Sequence, residues 1–137
     1  MIVDRPEIKF IPKIWGFEKV ICNNKYCGKI LFIAKGHKTS LHYHKIKDET
    51  FYIQSGKILV YYSDDMPKIK ELAVPDDEGS VNPQIYESLL KVNINKADSF
   101  YIPPRRIHQI IALEDTELIE FSTKHFDEDV SRLINGE

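Results

Sequence analysis

The chain has 137 residues, 42% hydrophobic and 29% charged, with a formal net charge of −2. That length supports one domain around a single core, and that composition is globular rather than disordered. It lacks the basic footprint of a nucleic-acid binder, and no apolar run approaches the roughly 18 to 20 residues of a membrane span.

The N-terminal stretch "MIVDRPEIKFIPKIWG" scatters charge where a leader would carry an apolar core, which predicts a cytoplasmic protein. Short runs rich in Ile, Val, Tyr and Phe follow: "KVIC", "CGKILFIA", "ETFYIQ", "KILVYY", "LLKVNI", "SFYIP", "HQIIAL" and "ELIEFST". Turn residues separate them, at "NNK", "AKGHK", "QSGK" and "SDDMPK" among other places, and this pattern predicts an all-β sandwich or barrel. Cys22 and Cys27 flank one such turn and are expected as free thiols on facing strands. Most runs are apolar on both faces, so a second sheet or a second subunit must cover them. With Trp15, Phe17, Tyr61 and Tyr62 added, this suggests a homodimer through a barrel sheet or an exchanged N-terminal strand. Ordinary core is the competing role for Trp15.

Residues 63–88 make one long connection, with "KIKELAV" expected to be partly extended and "PDDEGSVNP" a solvated tip. At the end of the chain, Val130, Leu133 and Ile134 stand at i, i+3 and i+4. Asp127 is placed to cap and Gly136 to stop, so a short C-terminal helix is predicted.

The chemistry concentrates in "GHKTSLHYHKIKDETFYIQSG", residues 36–56. On a helix His42 and His44 would point apart; on a strand they share a face. A hairpin to the next strand brings Glu49 to the same spot, and Gly36 and Gly56 suit turns of positive φ. His108 follows a proline-containing turn at the head of a later strand. Three imidazoles and one carboxylate suit a first-row divalent metal with about two positions left open. His37 is expected to face solvent and His125 to sit at the helix entry.

Residues 36–56 resemble the first cupin motif, G-x5-H-x-H-x4-E-x6-G, without a gap, and residues 97–112 resemble the second in part. Pro103 and His108 match there, while Ala97 and Arg105 stand where glycines are usual and Ala112 where asparagine is. The resemblance implies a single cupin domain over 1–137: an antiparallel double-stranded β-helix, or jelly-roll barrel. It implies His42, His44, Glu49 and His108 as ligands of one divalent transition metal, whether Zn, Mn, Fe or Ni. "KIWGFEKVI", "YIPPRRIHQI" and "LIEFSTKHFDEDVSRL" are further similar to the cupin module of mannose-6-phosphate isomerases of the sugar-nucleotide-linked type.

That likeness implies an isomerase or related enzyme acting on a sugar phosphate or similar small polyol. The metal would serve as a Lewis acid and a base would carry a proton between neighbouring carbons. Glu120 is a candidate base, with a strand-edge glutamate in water as the competing role; Tyr52 falls on the opposite face. Arg105, Arg106 and Lys45 are candidates for binding the phosphate, beside Lys47; a solvated turn is the competing role for all four and the stronger expectation for the two lysines. An Fe(II)-dependent dioxygenase and a non-catalytic sugar-binding or regulatory cupin are the alternatives, and the fold alone does not separate them.

Overall fold

The computed structural model describes residues 4, 5 and 7–137. Residues 1–3 and 6, on which part of the N-terminal expectation rests, lie outside them. Eleven strands form two antiparallel sheets among the described residues. The strands are β1 (Lys9–Lys13), β2 (Gly16–Asn23), β3 (Tyr26–Ile33), β4 (Leu41–His44), β5 (Glu49–Ser55) and β6 (Lys57–Ser63). After one helix, α1 (Met66–Leu72), come β7 (Leu90–Asn95), β8 (Ser99–Ile102), β9 (Ile107–Ala112), β10 (Thr116–Thr123) and β11 (Val130–Ile134). One sheet runs β1-β2-β3-β10-β5-β8 and the other β11-β4-β9-β6-β7, the jelly-roll arrangement expected.

Strand parity fills the space between the sheets. Leu31, Ile33, Phe51, Ile53, Ile58, Val60, Ile110 and Leu118 all turn inward to one core, and Trp15 closes it at the β1–β2 turn. Trp15 is therefore core. The outer face of the five-stranded sheet is covered by the chain's own long connection. Ile69 of α1 and Ile85 of the 3₁₀ turn Pro83–Ser88 are fully buried against Leu41, Tyr43 and Ile107. Burying each isoleucine contributes roughly 1.5–3 kcal/mol. Among the described residues the outer face of the six-stranded sheet has no such cover: Phe10, Phe17 and Phe32 pack across it, and Phe10 and Phe121 are about 60% exposed.

Two expectations are corrected. "KIKELAV" is helical rather than extended; α1 begins where Asp65 accepts a hydrogen bond from the Lys68 amide and Pro67 presets the first turn. The C-terminal segment is a strand rather than a helix: residues 127–129 make one 3₁₀ turn and β11 then pairs with β4. A bulge between Arg132 and Ile134 interrupts the alternation, so Leu133 and Ile134 are both partly buried. A bulged strand thus reproduces the apolar spacing of a helical turn.

The glycine expectations hold. Gly36 and Gly56 have φ of +83° and +93°. The two non-glycine residues of positive φ among those described are Ala97 and Arg105, both at +72°. These are the positions where the cupin pattern carries glycine, so the backbone keeps glycine's conformation without the glycine. Cys22 and Cys27 are free thiols on the β2–β3 hairpin. No helix among the described residues is long and apolar enough to cross a membrane.

Candidate metal centre

β4 and β9 place three imidazoles together. His42 pairs directly with His108 across the two strands, and His44 lies two residues on, on the same face. Ring centroids are 4.3 Å apart for His42–His108, 5.0 Å for His42–His44 and 5.9 Å for His44–His108. One nitrogen from each lies within 4.8 Å of the others. Glu49, at the start of β5, brings its Oε1 to 3.2 Å from His108 Nε2.

The surroundings of these groups fit a cation. His108 Nδ1 donates to the Arg106 carbonyl at 2.9 Å and His42 Nδ1 to the Ser40 carbonyl at 2.9 Å, which turns the other nitrogen of each ring, as a lone pair, toward the cavity. Burial, reinforced by the neighbouring imidazoles, holds His42 well below the ordinary histidine value and His44 down to about 2, so both are neutral donors near pH 7. Glu49 Oε1 and His44 Nδ1 are buried without a hydrogen-bond partner. Glu49 Oε1 and the lone pair of His108 Nε2 face each other at 3.2 Å with no proton donated between them, a gap that a metal ion satisfies, while His44 Nδ1 lies 3.9 Å from Asp129.

Beside this cluster is a buried ionic group. Lys47 Nζ lies 2.7 Å from Glu120 Oε2 and 3.4 Å from Glu49 Oε2, with all three side chains 2–4% exposed. Ser122 Oγ donates to Glu120 at 2.8 Å. Burial pushes the Glu120 carboxyl up, but the charges of Lys47 and Lys29 outweigh it and the net shift is downward. Lys47 loses to burial and gains more from Glu120 and Glu49, so its pKa is raised. Both are ionised at neutral pH. Lys47 turns inward because Asp129 accepts the backbone amides of Lys45, Ile46 and Lys47 at 2.9–3.0 Å and bends the β4–β5 turn around itself.

A cavity of about 900 Å³ joins the centre to the inner face of β1, β2 and β3, where Lys29 and Lys13 share Glu18 at 3.5 and 3.6 Å. Glu120 lines it, three per cent exposed, and so does not face bulk water. Tyr52 faces outward as expected, and so does His37. Lys45, Arg105 and Arg106 do not line the cavity. Lys45 and Arg105 are exposed, and the Arg105 amide donates to the His44 carbonyl at 2.6 Å, so that residue ties the turn before His108 to β4. Arg106 makes two 3.0 Å hydrogen bonds to Asp64 and lies over the Tyr62 ring. Sequence reasoning missed Lys29, Glu18, Asp129 and Arg132 as parts of the site or its frame, and the solvated turn expected for Lys47 is corrected: its side chain is buried. Only strand parity toward the histidines could have signalled Arg132, and the helix prediction hid that. His125, expected at a helix entry, instead lies 3.0 Å from Lys47 Nζ.

Two sheets closed over a three-histidine cluster, with a carboxylate at its edge, define a cupin-type barrel with a candidate metal centre. Residues 5–133 match the family model of the JmjC domain, and the chain belongs to that family within the cupin superfamily. No protein of curated function matches it by sequence. Among solved structures it is similar to the capsular polysaccharide assembling protein CapF from Staphylococcus aureus (TM-score 0.67, 18% identity, 93% of this chain and 34% of that one). KdgF from Halomonas sp. is also similar (0.57, 18%, 82% and 81%), as is a point mutant of the Bacillus subtilis oxalate decarboxylase OxdC (0.66, 18%, 93% and 30%). Oxalate decarboxylase is described with Mn(II) centres. The chain spans about a third of the CapF chain.

Proposed function

We propose that the protein is a metal-dependent isomerase, or a related enzyme, acting on a sugar phosphate or similar small polyol. The observation that carries this is the buried Glu120–Lys47 pair lining the same cavity as the three imidazoles. His42, His44, His108 and Glu49 would hold one divalent transition metal, which when bound polarises a carbonyl oxygen. The chain's own groups supply the rest. Glu120, held ionised by Lys47, is a base within the buried ionic group of the cavity wall; Lys47, held protonated, is a donor 2.7 Å from it. Such a pair takes a proton from one carbon and returns it to a neighbour without exchange with bulk water. Phe51 and Ile110, on the same cavity wall, exclude that water. A cavity of about 900 Å³ accommodates a hexose phosphate.

CapF, named for capsular polysaccharide assembly, keeps carbohydrate chemistry in view for this barrel. In the same proposal the protein is cytoplasmic and pairs as a homodimer through the uncovered outer face of the six-stranded sheet. The test is metal analysis of protein purified without chelator, followed by thermal-shift screening against hexose phosphates and free sugars. Zinc, manganese or nickel with a hexose-phosphate shift is the expected result. Iron with oxygen uptake transfers the assignment to a dioxygenase, and absence of any sugar shift removes the sugar-phosphate reading. His44→Ala is expected to abolish metal retention and leave the barrel's circular dichroism unchanged; full metal occupancy in that variant refutes the ligand set.

A further inference from the structure

β11 carries a residue that neither the metal centre nor the proton-transfer pair uses. Arg132 sits directly opposite His42 in the β11–β4 pairing, as Val130 sits opposite His44. Directly opposed residues on neighbouring antiparallel strands project to the same face, with Cβ atoms about 4.5–5.5 Å apart. Since His42 faces the cavity, Arg132 does too, and both line it, Arg132 at its solvent-exposed edge. The bulge falls after Arg132, so the alternation that aims it inward is intact up to that point.

The other cations of this wall have carboxylate partners. Lys13 and Lys29 share Glu18 and Lys47 lies between Glu49 and Glu120, while Asp127 at the exposed margin faces the neutral His125 at 3.0 Å. Lys9, on the edge strand, shares its margin of the cavity with Glu7. Arg132 makes no ion pair or side-chain hydrogen bond among the described residues. A guanidinium beside a site built for a metal cation opposes binding of that cation unless an anion lies between them. Arginine is also the side chain whose planar fork grips an oxyanion through two parallel hydrogen bonds.

We infer that Arg132 is the anion-recognition residue of the cavity, gripping a phosphate or carboxylate group of a ligand whose other end reaches the three-histidine centre. The role expected of Arg105 and Arg106 passes to a residue on the opposite side of β4. The inference deepens the sugar-phosphate reading and rests on it only for the sugar part of the ligand; the oxyanion part stands on the register of β11.

The single tryptophan, Trp15, lines the same cavity, so its fluorescence reports occupancy. Wild type, Arg132→Met and Arg132→Lys are titrated with a hexose 6-phosphate, the free hexose, the corresponding hexuronate, inorganic phosphate and malonate, and the metal content of each protein is measured. Wild type is expected to bind at least one of the anions tenfold or more tighter than the free hexose. Arg132→Met should bring that ratio near one at unchanged metal content, and Arg132→Lys should keep part of it. Preference for the phosphates or for the carboxylates identifies which oxyanion is taken. If phosphate or malonate binds through Arg132 while no sugar derivative improves on them, the inference stands and the sugar-phosphate reading falls. If Arg132→Met keeps the wild-type preference, the inference falls and that reading survives. Loss of metal from Arg132→Met, or a wild type with no preference for any anion, also overturns it.

Discussion

Replacing Lys47 by methionine keeps the length of the side chain and removes its charge. It leaves Glu49 and Glu120, 2% and 3% exposed, without the ammonium that each faces at 3.4 and 2.7 Å. Removing one member of a buried ionic group costs about 3–5 kcal/mol, because the partner's desolvation is no longer offset. With an m-value of about 2 kcal/mol/M, a loss of 4 kcal/mol moves the urea midpoint by roughly 2 M. The assay is urea unfolding of metal-free protein at pH 7, since an ion held by Glu49 would itself offset part of the loss. Adding Glu120→Gln to Lys47→Met should recover part of the stability, because one stranded charge is gone. The pH dependence carries a sign of its own. Glu120 is held below its ordinary value, so its contribution is complete above about pH 4.5 and fades as pH falls through the folded-state value. Without Lys47 that carboxyl takes up its proton at higher pH, and the penalty of Lys47→Met should shrink on acidification. A Lys47→Met protein within 1 kcal/mol of wild type at pH 7 would refute the reasoning.

Arg105→Gly and Ala97→Gly relieve left-handed backbone at φ of +72° and should each raise stability by about 1 kcal/mol, read as an upward shift of the urea midpoint. Burial and the nearby Glu120 push the Cys27 thiol up, so Cys22 should react with iodoacetamide well before Cys27, by mass spectrometry of the native protein. The same shift makes folding favour the neutral thiol, and stability should decline as pH rises past about 9. For assembly, wild type should elute at twice its 16.0 kDa mass, and Phe10→Lys with Phe121→Lys at 16.0 kDa.

The histidine pair and the inward alternation of most strands were legible because each is a local pattern with a period of two, and the turn glycines because positive φ is a local demand. β11 was not, because a bulge gives Val130, Leu133 and Ile134 the spacing of a helical turn. α1 was legible in principle: Asp65 and Pro67 form a start signal, outweighed by the β-rich context. The inward turn of Lys47 could not be read, since what tips it is Asp129, 82 residues away in the chain. Glu120 needed the pairing of β10 with β3 and β5, which decides which of its faces is inside. Arg105 looked chemical because arginine is a common anion ligand; its turn uses the backbone, and its guanidinium stays outside the cavity.

β10 lies between β3 and β5 in the six-stranded sheet, joining Thr116–Thr123 to Tyr26–Ile33 and Glu49–Ser55. During synthesis both flanking strands therefore leave the ribosome with an open hydrogen-bonding edge and wait some sixty residues or more for their shared partner. Closure of so distant a pairing is slow, and exposed edges recruit other chains meanwhile. Expression yield should accordingly depend on temperature and chaperone supply more steeply than the stability of the finished barrel would suggest.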